Sequence, residues 1–176
     1  MKLFSLHKKI LLIKLKKKKM IIISHRGLIN GPNKEKENLI YEIKKNIFKY
    51  PSILFEIDIW LKNKKIFIGH ELSSSSLDLK ELVEFKNKFI LHIKSIDNYS
   101  KYLIDEIVEQ KFHFFCHDND DFTITSKGWP WIHPKRGIIE NTICVLPEQL
   151  TDISNLDFIK TKNILGVCTD YPLAFL

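Results

Sequence analysis

Met20-Ile21-Ile22-Ile23-Ser24-His25-Arg26-Gly27 is the stretch on which the reading of the fold turns. A short run that is apolar on both faces suits a strand buried on both faces. The polar residues that follow it put reactive groups at the strand's C-terminal end. The arrangement recurs downstream. Ile53-Leu54-Phe55-Glu56-Ile57-Asp58-Ile59-Trp60 carries two acids within an apolar run, and Lys65-Ile66-Phe67-Ile68 leads into Gly69-His70-Glu71. Further strand-like runs fall at 89–94, 112–116, 129–132, 143–146 and 164–169. Two histidines, an arginine and a carboxylate pair at adjacent strand ends are the groups that metal-assisted attack on a phosphodiester needs.

Helical spacing lies between several of these runs. Residues 38–49 put Leu39, Ile43, Ile47 and Phe48 on one stripe, and 78–85 and 97–109 show the same period, with Asp78 and Asp97 suited to cap their starts. Alternating strand and helix argues for an α/β barrel or a doubly wound sheet. Residues 118–147 hold turn residues and aromatics but no clear helix. A full eight-fold barrel takes about 250 residues, so in a chain of 176 several outer helices would be missing or reduced to loops. No internal repeat or linker divides the chain, and Ser73 to Ser76 form only a short polar turn.

The formal charge of +7 resembles a nucleic-acid signal until it is located. Residues 1–19 hold 8 of the 28 basic residues and no acid, leaving 20 basic against 21 acidic residues in 20–176. The body is near neutral, with no bulk bias toward DNA or RNA. Residues 1–19 therefore read as a disordered basic extension, or as residues upstream of a natural start at Met20. Ile10-Leu11-Leu12-Ile13 is too short to span a bilayer and carries no cleavage signal. A weak contact with anionic membrane is the other reading of this segment, at about 1 kcal/mol per basic residue near the surface. Cys116, Cys144 and Cys168 are odd in number, widely spaced and set in apolar runs. They are expected to be buried thiols in a reducing compartment, the cytoplasm by default.

Glu56 and Asp58, two apart on a strand, point to one face. Two buried carboxylates repel unless protons or a cation lie between them, and a hard divalent cation such as Mg²⁺ or Ca²⁺ takes such oxygens. The plainer reading is a strand with two solvated acids, against which stand the bulky neighbours Phe55, Ile57, Ile59 and Trp60. His25 and His70 titrate near neutrality and can pass protons to and from a reacting diester. Arg26 can hold two phosphate oxygens at once. Glu37 reads from the residues as a simple first-turn acid of the following helix. His117 and Asp120 are either substrate contacts in a polar, Trp-walled pocket or loop residues over a packing tryptophan. Asp170 is either part of the site or part of a turn.

The ordered set His25-Arg26-Gly27, Glu37-Asn38, Glu56-x-Asp58, Gly69-His70-Glu71 and Thr169-Asp170-Tyr171-Pro172 resembles the glycerophosphodiester phosphodiesterase family. That family belongs to the wider group that includes phosphatidylinositol-specific phospholipases C and sphingomyelinases D. The likeness covers most of 20–176 and is strongest from Ile21 to Glu71. It implies a compact or partly reduced TIM-type (β/α) barrel over 20–176, with catalytic His25 and His70 and a phosphate held by Arg26 and Lys94. It also implies one divalent cation on Glu56 and Asp58, and that Glu37 supports this site. At Leu91-His92-Ile93-Lys94 the family's third acidic ligand is replaced by His92. Imidazole nitrogen would shift preference from Ca²⁺ or Mg²⁺ toward Mn²⁺ or Zn²⁺; otherwise water completes the site. Glu71 stands where the family commonly has aspartate. The expected function is a metal-dependent phosphoric diester hydrolase acting on a small alcohol phosphodiester: a glycerophosphodiester, a lipid headgroup or a phosphate-linked glycan. Hydrolysis and cyclic-phosphate formation both stay open. The rival is a barrel that binds a phosphorylated ligand without turning it over.

Overall fold

The computed structural model describes residues 19–72, 75–98, 100–117 and 120–176. The expected disorder of the basic extension therefore concerns residues almost wholly outside those described. So do Ser73 and Ser74 of the serine turn, and Asp118 and Asn119.

Strand β2, Ile53–Lys62, organises the molecule. Phe55, Ile57, Ile59 and Leu61 are buried on one face, and Glu56 and Asp58 are buried on the other. Burial on both faces explains why the run is nearly continuous in apolar residues. One edge of β2 pairs in parallel with β5, Phe89–Ile96. The other edge is shared. Ile53–Phe55 pair in parallel with β1, Ile21–Ser24, and Ile59–Lys62 pair antiparallel with β3, Lys65–Ile68. A short β4, Ser76–Leu77, extends the antiparallel side. Beyond β5 lies β6, His113–Cys116. Beyond β1 lie β10 (Gly166–Thr169), β9 (Ile143–Val145) and β8 (Pro130–Ile132), all parallel, with β7, Phe122–Ile124, antiparallel at the edge.

The result is a mixed α/β structure on one ten-stranded sheet, which no ladder among the described residues closes. The sheet curls nonetheless. Ile23, Ile90, Phe115, Trp131, Val145 and Cys168, from six different strands, meet in one small cluster on its inner face. At the open side the Ser126 N–H donates to Phe114 O at 2.7 Å, and the Phe115 and Trp131 rings stand 4.5 Å apart.

The outer face carries the larger core. Helix α1, Ile40–Lys49, buries Ile43 and Ile47, and α3, Lys101–Glu109, buries Leu103 and Ile107. Full burial of each such side chain contributes about 1.5–3 kcal/mol. Two single turns, α2 (Lys80–Val83) and α4 (Asp157–Lys160), complete the α-helices among the described residues. The expected apolar stripe of α1 is narrower than its sequence suggested. The helix begins at Ile40, so Leu39 precedes it, and Leu39 and Phe48 are exposed. Phe48 packs edge-on against Phe85. Asp78 does serve the start of its turn, accepting the Lys80 N–H. Asp97 does not cap α3. That helix starts four residues later, and the Asp97 carboxylate instead accepts from the Asn63 N–H and the Ser100 hydroxyl. Cys144 and Cys168 are buried, but Cys116 is exposed because it ends β6.

Two glycines are dictated by close approach. A Cβ on Gly166 would sit 2.4 Å from the Ile21 carbonyl oxygen, so the β1–β10 pairing requires glycine there. Gly27, at φ +76, turns the chain out of β1, and a Cβ would meet Ile43 at 2.5 Å.

Candidate active site

The site lies where β1 stops. After Ser24 the chain enters a 3₁₀ turn, His25–Gly27, and β3 does not take over the edge of β2 until Ile59. The middle of β2 has no ladder partner on that side, and side chains fill the gap. The Asp58 N–H donates to Asn38 Oδ1 at 2.9 Å, and Asn38 Nδ2 donates back to Asp58 Oδ2 at 3.2 Å. Arg26 sits in the left-handed region at φ 51, a conformation costly for a residue with a Cβ. That turn directs its N–H to Glu56 Oε2 at 2.9 Å. Its guanidinium reaches Asp58 Oδ2 at 3.2 Å through Nε and Glu37 Oε2 at 3.1 Å through Nη1. Glu37 therefore pairs with Arg26 and stands three residues ahead of α1.

Glu56 and Asp58 are only 2% and 1% exposed. His92, on β5 directly opposite Asp58, places Nδ1 3.0 Å from Asp58 Oδ1 and 3.5 Å from Glu56 Oε1. One ligand atom from each of the three lies within 4.8 Å of the others, the geometry a small cation needs. The electrostatics follow. Burial alone would push the His92 imidazole down, but its bonds to Asp58 and Glu56 outweigh this and hold it above its ordinary value. Burial alone would raise Asp58, but the His92 bond and charge, then Arg26, bring it down to about 2. The His92 imidazole thus sits where a cation would balance the two carboxylates, and they favour its protonated form. Its Nε2 finds no hydrogen-bond partner among the described residues, and its ring stacks on Phe115 and His117 at 4.6 Å.

His25 Nδ1 lies 2.7 Å from Asp170 Oδ1. Burial lowers this imidazole too, but the Asp170 bond and the Glu56 carboxylate overcome it and the opposing Arg26 charge, raising it. Asp170 is thereby placed in the site, where the sequence left it open between site and turn. Its own N–H donates to Glu148 Oε1 at 2.8 Å, and Glu148 was not legible as a site residue at all. Asn38 was legible only as part of a motif.

The remaining candidates are more dispersed. His70 follows β3, its side chain 41% exposed and 3.2 Å from Glu71. It lines a cleft of about 780 Å³ together with Arg26, Glu37 and Asn38. No hydrogen bond or ion pair among the described residues joins it to His25 or to the buried triad. Lys94 occupies a bulge: β5 pairs Ile93 with Ile59 and Ser95 with Trp60, so the alternation that would place Lys94 on the side of His92 is interrupted. Lys94 is half-buried and makes no ion pair among the described residues. His117, stacked on His92, and exposed Asp120 line a smaller cavity of about 210 Å³ with Trp131 and His133. No family model, curated protein or solved structure matches this chain.

Proposed function

We propose that this chain is a metal-dependent phosphoric diester hydrolase of a small alcohol phosphodiester, built on a reduced (β/α) barrel. The observation that carries the reading is the buried convergence of Glu56, Asp58 and His92 beside Arg26 and His25. A divalent cation held by Glu56, Asp58 and a neutral His92 would neutralise charge on the phosphoryl oxygens. Arg26, braced by Glu37 and Asp58, is held at the wall of the 780 Å³ cleft, where its remaining donors can take a phosphate. His25, fixed through Nδ1 by Asp170, whose bond favours the protonated ring, is suited to give a proton from Nε2 to the leaving alkoxide. His70, on the cleft wall, is the candidate to take a proton from water or from a neighbouring substrate hydroxyl. Water gives a monoester and an alcohol; a substrate hydroxyl gives a cyclic phosphate. Lys94 is retained as a candidate for the phosphoryl oxygens. The substrate is a glycerophosphodiester, a lipid headgroup or a phosphate-linked glycan. No helix among the described residues is long and apolar enough to cross a membrane, and the chain's place in this reading is the cytoplasm.

A specific observation favours one alternative, binding of a phosphorylated ligand without turnover. His92 Nδ1 lies between the two carboxylates, which favour its protonated form, so an imidazolium can take the place of a cation there. Turnover of bis(p-nitrophenyl) phosphate and of glycerophosphodiesters, followed by ³¹P NMR in chelator and with added Mg²⁺, Mn²⁺ or Ca²⁺, separates the two. Metal-dependent turnover that His25→Ala abolishes is expected. Ligand binding with no turnover under any metal would leave the alternative.

A further inference from the structure

We propose that Glu148 is a positioning residue for His25, acting through Thr169 and Asp170; this rests on the reading of His25 as a proton-transfer group. Glu148 lies in the 3₁₀ turn Pro147–Gln149 that follows β9. Its place there is not an accident of a loose loop. Leu146 is held in the left-handed region at φ 47, and its N–H donates to Cys168 O at 2.6 Å. A left-handed leucine is costly. Here it bends the chain back over the end of β10 and aims the half-buried Glu148 carboxylate at the next two residues. Both carboxylate oxygens are used. Oε2 accepts the Thr169 hydroxyl at 2.9 Å, and Oε1 accepts the Asp170 N–H at 2.8 Å. Thr169 Oγ1 in turn accepts the Tyr171 N–H at 3.0 Å, and Asp170 O accepts the Gly31 N–H at 2.8 Å. The backbone on both sides of Asp170 is thereby locked, with its side chain 2.7 Å from His25 Nδ1. β10 ends at Thr169, so no ladder holds Asp170. Without Glu148 the Asp170 N–H loses its acceptor, the Asp170 backbone keeps only the Gly31 bond, and its carboxylate is less firmly held against the imidazole.

The assignment has a spectroscopic consequence independent of turnover. A His25 ring bonded at Nδ1 to a buried carboxylate gives a downfield, slowly exchanging N–H proton. The charged groups facing His25 are Asp170, Glu56 and Arg26, and none is altered by substitution at 148 or 169. The test compares parent, Glu148→Ala, Glu148→Gln and Thr169→Val, with the resonance assigned by its loss in His25→Gln. Glu148→Ala should lose the signal, and its His25 midpoint should fall as the Asp170 bond is lost. Its kcat on bis(p-nitrophenyl) phosphate should fall about 10–100-fold with KM little changed, the scale of removing a group that orients an active residue. Glu148→Gln keeps the shape and an oxygen for the Asp170 N–H, and should retain the signal and most of the rate. A folded Glu148→Ala protein with the parental resonance and midpoint overturns the proposal. If Glu148→Ala does not fold, the other two variants decide: Thr169→Val should weaken the signal while Glu148→Gln keeps it, and parental signals in both overturn it. A parent that shows the resonance but turns over no diester would sink the proposed function and leave the positioning role standing.

Discussion

Replacing His92 with alanine should destabilise the metal-free protein and make it dependent on a divalent cation. In the parent, Nδ1 stands 3.0 Å from Asp58 and 3.5 Å from Glu56, and neither carboxylate reaches water. Removing one member of a buried charge cluster costs about 3–5 kcal/mol, because the other charges stay behind uncompensated. Arg26 still contacts both acids and Asn38 still bonds Asp58, so the lower end, about 3 kcal/mol, applies. Loss of the ring stacked on Phe115 and His117 adds about 1 kcal/mol. A cation at one hundred times its Kd would return about 2.7 kcal/mol. The parent behaves differently, because a cation must first displace the His92 proton. His92 is raised above its unfolded value. Its metal-free contribution is therefore complete below about pH 6.5 and fades as pH rises through the folded value. Stabilisation of the parent by cation should accordingly grow with pH. Urea unfolding in chelator and in millimolar Mg²⁺ or Mn²⁺, at pH 6 and pH 8, measures all of this. A His92→Ala protein within 1 kcal/mol of the parent in chelator would show that His92 does not hold the acids. Absence of any cation effect on either protein would end the metal proposal.

Gly166→Ala should be severely destabilised: the new Cβ meets the Ile21 carbonyl at 2.4 Å, and backbone cannot yield as a side-chain tip can. A loss above about 3 kcal/mol is expected by urea melt, and a variant melting like the parent would contradict the β1–β10 register. Asn38, at φ 60, gives a graded test: Asn38→Gly removes only its bonds to Asp58, at about 2 kcal/mol, whereas Asn38→Ala adds roughly 1 kcal/mol of left-handed strain. Equal losses in the two variants would refute that backbone role. Burial, aided by the Lys127 charge, pushes His113 down to about 4, below its unfolded value near 6.5, so its contribution is full above pH 6.5 and fades as pH falls toward 4. His113→Gln should flatten the acid side of the melting-point profile, and a parallel profile would show that another group titrates there.

Much of this was legible in the sequence for a simple reason. A parallel strand buried on both faces must be apolar almost throughout, so Ile21–Ser24, the core of β2 and β5 stand out from their surroundings. The polar exceptions in β2, Glu56 and Asp58, then mark one face by alternation alone, whereas His92 came forward only through the family resemblance, and its place opposite Asp58 needed the β2–β5 register. What stayed hidden depended on contacts between distant segments. Nothing in Pro147-Glu148-Gln149 announces that a left-handed leucine will fold the carboxylate over β10. The bulge at Lys94 is equally silent, because it arises from pairing with β2 and not from the run itself. Asp97 read as a helix cap because Asp suits that position. It is drawn instead to an unpaired N–H in the β2–β3 turn, 34 residues away in sequence.

The site and the ends of the ladders are products of one constraint. A buried backbone N–H must find an acceptor, and a strand whose neighbour has ended no longer supplies one. Among the described residues, three such donors lie at the site: Arg26 just past β1, Asp58 where β2 lies between β1 and β3, and Asp170 just past β10. Each is satisfied by a side chain, from Glu56, Asn38 and Glu148 respectively. Those acceptors had to be polar and fixed, which are the properties a reactive group also needs from its surroundings. Glu56 faces His92 while holding Arg26, Asn38 grips Asp58 while completing its strand, and Glu148 holds Asp170 against His25. Polar side chains gather at strand ends because that is where the fold must bring them inside, and each one brought in for the backbone also orients a charged or titratable neighbour.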